Sequence, residues 1–146
     1  TKQIGDEGEA LTLAHEKIWL SNNGRPDLAK LVSHMPTQFA VGYDILSREL
    51  DATMRHIEVK TTVSQKDFTV NRVHLTPNEW AAAESHRERY FVYRLQLSEE
   101  SCSLWVIQDP VSLYKQGRIK MVPRNGADIF FDETCYTQVE LLRTHE

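Results

Sequence analysis

Two runs, Val41-Gly42-Tyr43-Asp44-Ile45 and His56-Ile57-Glu58-Val59-Lys60, decide how this chain is read. Each alternates apolar and polar residues with a period of two, the pattern of a strand with one buried face. Between them Ser47-Arg48-Glu49-Leu50-Asp51-Ala52-Thr53 is polar and long enough to reverse the chain, so a hairpin is expected. Side chains on a strand alternate between faces. Glu58 and Lys60 therefore share one face, Ile57 and Val59 take the other, and Asp44 of the partner strand can sit beside the first pair. Two carboxylates and an ammonium at one spot of a sheet are costly to desolvate, and a divalent cation is the simplest species that would use them. Taken alone, the same three residues also fit an ordinary surface salt bridge.

On the N-terminal side, residues 6–20 have helical periodicity. Leu11, Ala14 and Ile18 form a stripe, with Ala10, Leu13 and Leu20 close beside it. Asp6, Glu7 and Glu9 crowd the first turn, where the helix dipole favours them, and Glu9 lies at the edge of the apolar face, able to look toward the hairpin. Residues 21–27 are turn-forming, and residues 27–35 are expected to be a short helix capped by Asp27 and ended by Pro36. On the C-terminal side, a polar turn at 64–67 precedes a third strand over 68–75. Thr76-Pro77-Asn78-Glu79 is the clearest local signal: an N-cap threonine, a proline at the first helical position and a glutamate completing a capping box. This helix is expected to run to Arg89. Strands follow over 90–97 and 102–107, then a helix over 111–116 introduced by Asp109-Pro110 and stopped by Gly117. Short strands are expected at 119–122 and 129–131, and residues 136–142 fit either a strand or a helix. The fold class is thus α/β in the broad sense (α+β), with a central mixed sheet and flanking helices.

At 146 residues, 40% of them hydrophobic and 26% charged, the chain is expected to be one domain, residues 1–146, with a sizeable core. It has no apolar run long enough to cross a bilayer and no basic-then-apolar opening, so a cytoplasmic protein without a membrane partner is expected. It opens without an initiator methionine, in a sequence already close to a helix, which leads us to expect a piece excised from a larger multidomain protein. Cys102 and Cys135 make no framework and are expected as buried free thiols. The six histidines, His15, His34, His56, His74, His86 and His145, are dispersed without zinc-site spacing, and there is no phosphate-cradling loop or nucleophile elbow. A net charge of −4 argues against a stand-alone, high-affinity DNA binder. It leaves room for a catalytic module whose acids hold metal. Arg118, Lys120 and Arg124 form either a small DNA-touching patch or a solvated edge. Trp80, Trp105, Tyr90, Phe91, Tyr93, Phe130 and Phe131 are mostly core candidates, with one or two able to stack on a base or a partner.

The order of helix with Glu9, strand ending in Asp44, return strand with Glu58-Val59-Lys60, further strand and helix resembles the core of the restriction-endonuclease-like (PD-(D/E)XK) nuclease superfamily. That core has the order α-β-β-β-α-β. Tyr43 stands where the signature proline would be. More narrowly, Gly8-Glu9, Gly42-Tyr43-Asp44-Ile45, Ile57-Glu58-Val59-Lys60, Leu75-Thr76-Pro77-Asn78-Glu79-Trp80 and Tyr90-Phe91-Val92-Tyr93-Arg94 resemble the domain found at the C-terminus of NO VEIN and in bacterial restriction and phage-defence proteins. The resemblance implies a metal-dependent DNA endonuclease that hydrolyses phosphodiester bonds, with Mg²⁺ as cofactor and Mn²⁺ as a substitute. It implies Asp44, Glu58 and the backbone carbonyl of Val59 as metal ligands, Lys60 as the group that orients water or stabilises charge, and Glu9 as an outer ligand. Asn78 and Glu79 lie where some relatives carry an auxiliary residue, although capping explains them as well. The implied partners are DNA, a helicase or ATPase domain of the same protein or complex, and a second copy in a homodimer. The alternative is a non-catalytic module of the same fold that binds DNA or a partner protein. Nothing in these residues separates DNA from RNA.

Overall fold

The long first helix α1 (Lys2–Asn22) and the short α2 (Pro26–Ala29) lead into an antiparallel meander of β1 (Ser33–His34), β2 (Ile45–Arg48) and β3 (Met54–Val63). The computed structural model describes residues 2–63, 71–99 and 101–144. Next come β4 (Arg72–Leu75), α3 (Pro77–His86) and β5 (Tyr90–Leu97), and β5 pairs parallel to β3 from His56↔Tyr90 to Val63↔Leu97. A parallel pair needs a crossover, and the passage through β4 and α3 supplies it. Strand β6 (Cys102–Gln108) returns antiparallel to β5, and β9 (Thr137–Val139) adds to its far edge. The six-stranded sheet has the order β1-β2-β3-β5-β6-β9. Between β6 and β9 come α4 (Pro110–Lys115) and a hairpin of β7 (Lys120–Pro123) and β8 (Ala127–Phe130), which joins β4 in a second sheet ordered β4-β8-β7. The fold is mixed α+β with a mixed central sheet.

Alternation along β5 separates two cores. Phe91, Tyr93 and Leu95 face the layer of α1 and α2, where they meet Leu20, Leu28, Val32, Ile45, Ile57 and Val59. Tyr90 and Val92 face the other way, onto Ala82 and Ala83 of α3, Val111 of α4 and Val73, Leu75 and Ile129 of the small sheet. A strand buried on both faces reads as a continuous apolar run, as residues 90–93 do.

Several expectations need correction. The strand expected at 41–45 starts only at Ile45, because Gly42 has φ +83° and breaks the extended run. Ser47 and Arg48 are strand rather than turn, and Glu49 to Thr53 make the reversal through Glu49 N–H to Thr53 O and Ala52 N–H to Glu49 O bonds. The helix expected at 27–35 is the single turn of α2, after which Ser33 and His34 pair with Leu46 and Ile45. Of the strand expected at 68–75, residues 68–70 lie outside the described residues, as does the turn at 64–67, Asn71 is a bend, and Arg72–Leu75 is strand. Strand β4 belongs to the small sheet rather than beside the hairpin. Helix α3 stops at His86 and tightens into a 3₁₀ turn, Arg87–Arg89, with Arg87 at φ +52°. The ambiguous tail is a strand, β9.

The buried face of α1 is also turned from the expected stripe. Gly8, Thr12, His15, Glu16 and Leu20 are buried, whereas Leu11, Ala14 and Ile18 are only half-buried. At Gly8 the helix comes so close to β3 that an added Cβ would lie 1.8 Å from Thr61 Oγ1. Among the described residues no helix is long and apolar enough to cross a membrane. Cys102 and Cys135 are free thiols, as expected, but only Cys135 is buried and Cys102 is half-buried.

Candidate active site

Glu58 and Lys60 project from β3 toward the α3 side of the sheet, as their even spacing requires. Glu58 is buried, and the Lys60 ammonium lies 3.4 Å from Glu58 Oε2 and 2.7 Å from Glu79 Oε1. Asp44 precedes β2 by one residue and is held from three directions. Its N–H donates to Ile57 O at 2.8 Å, its carbonyl accepts from Met35 N–H at 2.7 Å, and its carboxylate accepts from Val59 N–H at 2.8 Å. The Asp44 and Glu58 carboxyls lie near enough for each to act on the other's protonation.

The loop before Asp44 is clamped against α3. A Cβ on Gly42 would lie 2.4 Å from Asn78 O and 2.7 Å from Ala82 Cβ, and Gly42 O accepts from Tyr90 Oη at 2.9 Å. Tyr43 stands edge-on to His56 and His86, which stack with centroids 3.6 Å apart. A cavity of about 230 Å³ opens here, lined among others by Pro36, Gly42, Asp44, Glu58, Asn78 and Glu79.

The expected Asp44, Glu58 and Lys60 thus meet at one spot. Glu79, read from sequence mainly as a cap, joins them. The same Oε1 that holds Lys60 accepts from Thr76 N–H at 3.0 Å, closing the capping box, so this carboxylate ties the start of α3 to β3. Glu9 reaches the neighbourhood from α1, and its negative charge helps to raise the Asp44 pKa. Its immediate partner, however, is His34 of β1, with Nε2 2.5 Å from Glu9 Oε1. Sequence reading left His34 among the dispersed histidines, and only the pairing of β1 with β2 brings it there. Val59 contributes its amide to Asp44.

Two carboxylates, Glu58 and Glu79, hold the one ammonium and a third, Asp44, adjoins Glu58, and burial makes that imbalance felt. Burial, opposed by the Val59 N–H and reinforced by Glu9, pushes the Asp44 carboxyl up to about 6. Burial first and then Asp44 push Glu58 well above its ordinary value, against the pull of Lys60. Burial alone would lower Lys60, but Glu58 and Glu79 outweigh it and raise its pKa. Closely held carboxyls that resist ionisation are a cation-accepting arrangement, since an added positive charge removes the cause of the shift. Asp44 and Glu58 are the hard oxygen donors that Mg²⁺ and Mn²⁺ prefer. Among the described residues no three His, Cys, Asp or Glu side chains already form a metal cage. An ion at this spot would therefore find two carboxylates, Asp44 and Glu58, with its other positions left to backbone, water or ligand.

A second polar network lies on the opposite face, under α1, and sequence reading missed it. Tyr93 Oη donates to Glu16 Oε2 at 2.8 Å, and Arg55 Nη2 donates to Tyr93 Oη at 2.5 Å. Arg55 Nη1 donates to Glu49 Oε1 at 2.6 Å, and its guanidinium sits 3.8 Å over the Phe91 ring. These residues border a cavity of about 280 Å³.

Comparison with known sequences places the chain. No individually curated protein matches it. The model of the family described as protein NO VEIN, C-terminal, matches residues 8–107, which include Glu9, Asp44, Glu58, Lys60 and Glu79. That span is more than half of the 146 residues, and the chain therefore belongs to the NO VEIN C-terminal domain family.

Proposed function

We propose that this domain is a Mg²⁺-dependent deoxyribonuclease of the restriction-endonuclease-like class, acting in the cytoplasm as part of a restriction or phage-defence protein. The observation that carries the reading is the convergence of Asp44, Glu58 and Lys60, with the two carboxylates at the wall of an open cavity and the ammonium 3.4 Å from Glu58. The order of α1, the antiparallel meander, α3 and then a strand parallel to β3 supports the α-β-β-β-α-β core.

Asp44, Glu58 and the Val59 carbonyl would hold the ion, which when bound supplies a more acidic water and offsets charge on the scissile phosphate. The chain's own residues do the rest. The Val59 N–H fixes the Asp44 carboxylate, so one oxygen stays directed while the other faces its neighbour. Glu79 restrains the Lys60 ammonium beside Glu58, ready to orient the attacking water or to stabilise charge developing on the phosphate. His34 holds Glu9 at the edge of the site, where it assists as an outer acid. DNA is the proposed partner, together with a helicase or ATPase domain and a second copy where both strands are cut.

The alternative reading is a non-catalytic module of the same fold that binds DNA or a protein. It is favoured by Lys60 being already satisfied by two carboxylates, and by the net charge of −4. Plasmid cleavage in Mg²⁺ separates the two. We expect Asp44→Asn and Lys60→Ala each to lower the cleavage rate by at least about a hundred-fold, with the fold intact by circular dichroism. Cleavage that survives both substitutions counts against the enzyme.

A further inference from the structure

The three-stranded sheet has one face in the core and one outside. Val73, Leu75, Ile129 and Met121 point inward, so Arg72, His74, Asp128, Phe130, Lys120 and Val122 point outward. Register fixes their order: Arg72 pairs with Phe130 and Phe130 with Lys120, giving a row in which an aromatic ring lies between two cations. Phe130 is 36% exposed and Val122 50%, and Arg72 and Lys120 are both exposed.

The next row carries His74, Asp128 and Val122. Its carboxylate is buried and engaged, 2.7 Å from His74 Nδ1 and 3.6 Å from Arg124 Nη1. Among the described residues of this face, Arg72, Lys120 and Arg124 thus face outward against a single neutralised acid, on a chain whose net charge is −4. Such a spot is complementary to a polyanion.

We propose that this face holds a single strand of DNA, with one base stacked on Phe130 and the adjoining phosphates on Arg72 and Lys120. An unpaired strand alternates exposed rings with charges, and the row alternates in the same way. Duplex DNA keeps its base faces stacked internally and offers Phe130 nothing to stack on. Arg72 and Lys120 stand two strand spacings apart, roughly 10 Å at the backbone, which long side chains adjust to the separation of neighbouring phosphates. The face also leads to the candidate site. Strand β4 runs from Arg72 directly into Thr76, Asn78 and Glu79 at the rim of the 230 Å³ cavity. Four residues of extended chain cover about 13 Å, a distance that a few nucleotides span. The inference rests on the nuclease reading for the identity of the polymer, and supplies that site with the strand it would cut.

The test is fluorescence anisotropy with a labelled oligodeoxythymidylate and a duplex of equal length, in EDTA so that nothing is cleaved. We expect the single strand to bind more tightly than the duplex. Phe130→Ala should weaken strand binding by about ten-fold or more, the loss of one stacked base. Phe130→Leu, which keeps apolar bulk without the ring, should do the same. The double variant Arg72→Ala/Lys120→Ala should reduce the slope of log affinity against log salt by about 1.4, the release of two phosphate contacts on a single strand. Wild type that binds no strand at low salt, a duplex bound as tightly, or affinity unmoved by these variants overturns the proposal. Mn²⁺ calorimetry on the same proteins keeps the two readings apart. Strand binding without Mn²⁺ binding sinks the hydrolase and leaves this surface, and Mn²⁺ binding without strand binding does the reverse.

Discussion

Asp44 is the residue at which the cost of the site is concentrated. Its folded pKa of about 6 lies above the ordinary aspartate value of 3.8, so the native state binds the extra proton. Its favourable contribution is therefore complete below about pH 4 and is lost as pH rises through 6, with Glu58 acting in the same direction. In EDTA at neutral pH, Asp44→Asn should raise the unfolding free energy by about 3 kcal/mol, and the decline in wild-type stability between pH 4 and 7 should flatten. Urea titrations across that range check it, and a destabilised variant would show that the carboxylate is a net structural asset. The Tyr93–Glu16–Arg55 network predicts the opposite sign. Tyr93→Phe removes a hydroxyl that both donates to Glu16 and accepts from Arg55, so it should cost about 1–3 kcal/mol in the same titration while leaving Mn²⁺ binding unchanged.

These residues also show what a sequence can and cannot reveal. Glu58 and Lys60 were legible because strand periodicity alone puts them on one face. Glu79 was half-legible, since its capping role is local and its bond to Lys60 spans 19 positions. Glu16 was invisible. A buried acid satisfied by Tyr93 and Arg55 has the same hydropathy as a solvated one, so the pattern of α1 assigned the wrong face.

At the scale of elements, the parts that failed to be foreseen are those set by close approach rather than by periodicity. Alternation extended the first strand back to Val41, but the approach of the loop to α3 puts a left-handed residue at Gly42 and starts β2 at Ile45. We expect Gly42→Ala to be destabilising for two reasons, the positive φ and the 2.4 Å contact of its Cβ with Asn78 O. Because the loop carries Asp44, the variant should lose Mn²⁺ affinity even where it remains folded. Thermal melting and calorimetry on the same sample check both, and a variant that melts and binds like wild type would show that the clamp does not position Asp44. The α3 cap, in contrast, was legible to the residue: Thr76, Pro77 and Glu79 form the box that their spacing predicts.

At the scale of the molecule, the central sheet keeps its two polar centres on opposite faces. The Glu58, Lys60 and Glu79 cluster lies toward α3, and the Glu16, Arg55 and Tyr93 network lies under α1, with the apolar positions of β3 and β5 between them. The two should therefore titrate and mutate independently, as separated sites do. The class of fold was legible because helices and strands alternate in the chain. The second sheet was not, because β4 finds its partner β8 more than 50 residues later, and no local pattern encodes a pairing across that distance.

We infer that Asp44 and Glu58 take up a hard divalent cation beside Lys60. Isothermal calorimetry of Mn²⁺ into the wild-type domain and into Asp44→Asn tests it most directly. Saturable binding of one ion to the wild type is expected, with its loss in a variant that remains folded. Absence of binding at millimolar Mn²⁺, or equal binding to both proteins, would contradict it.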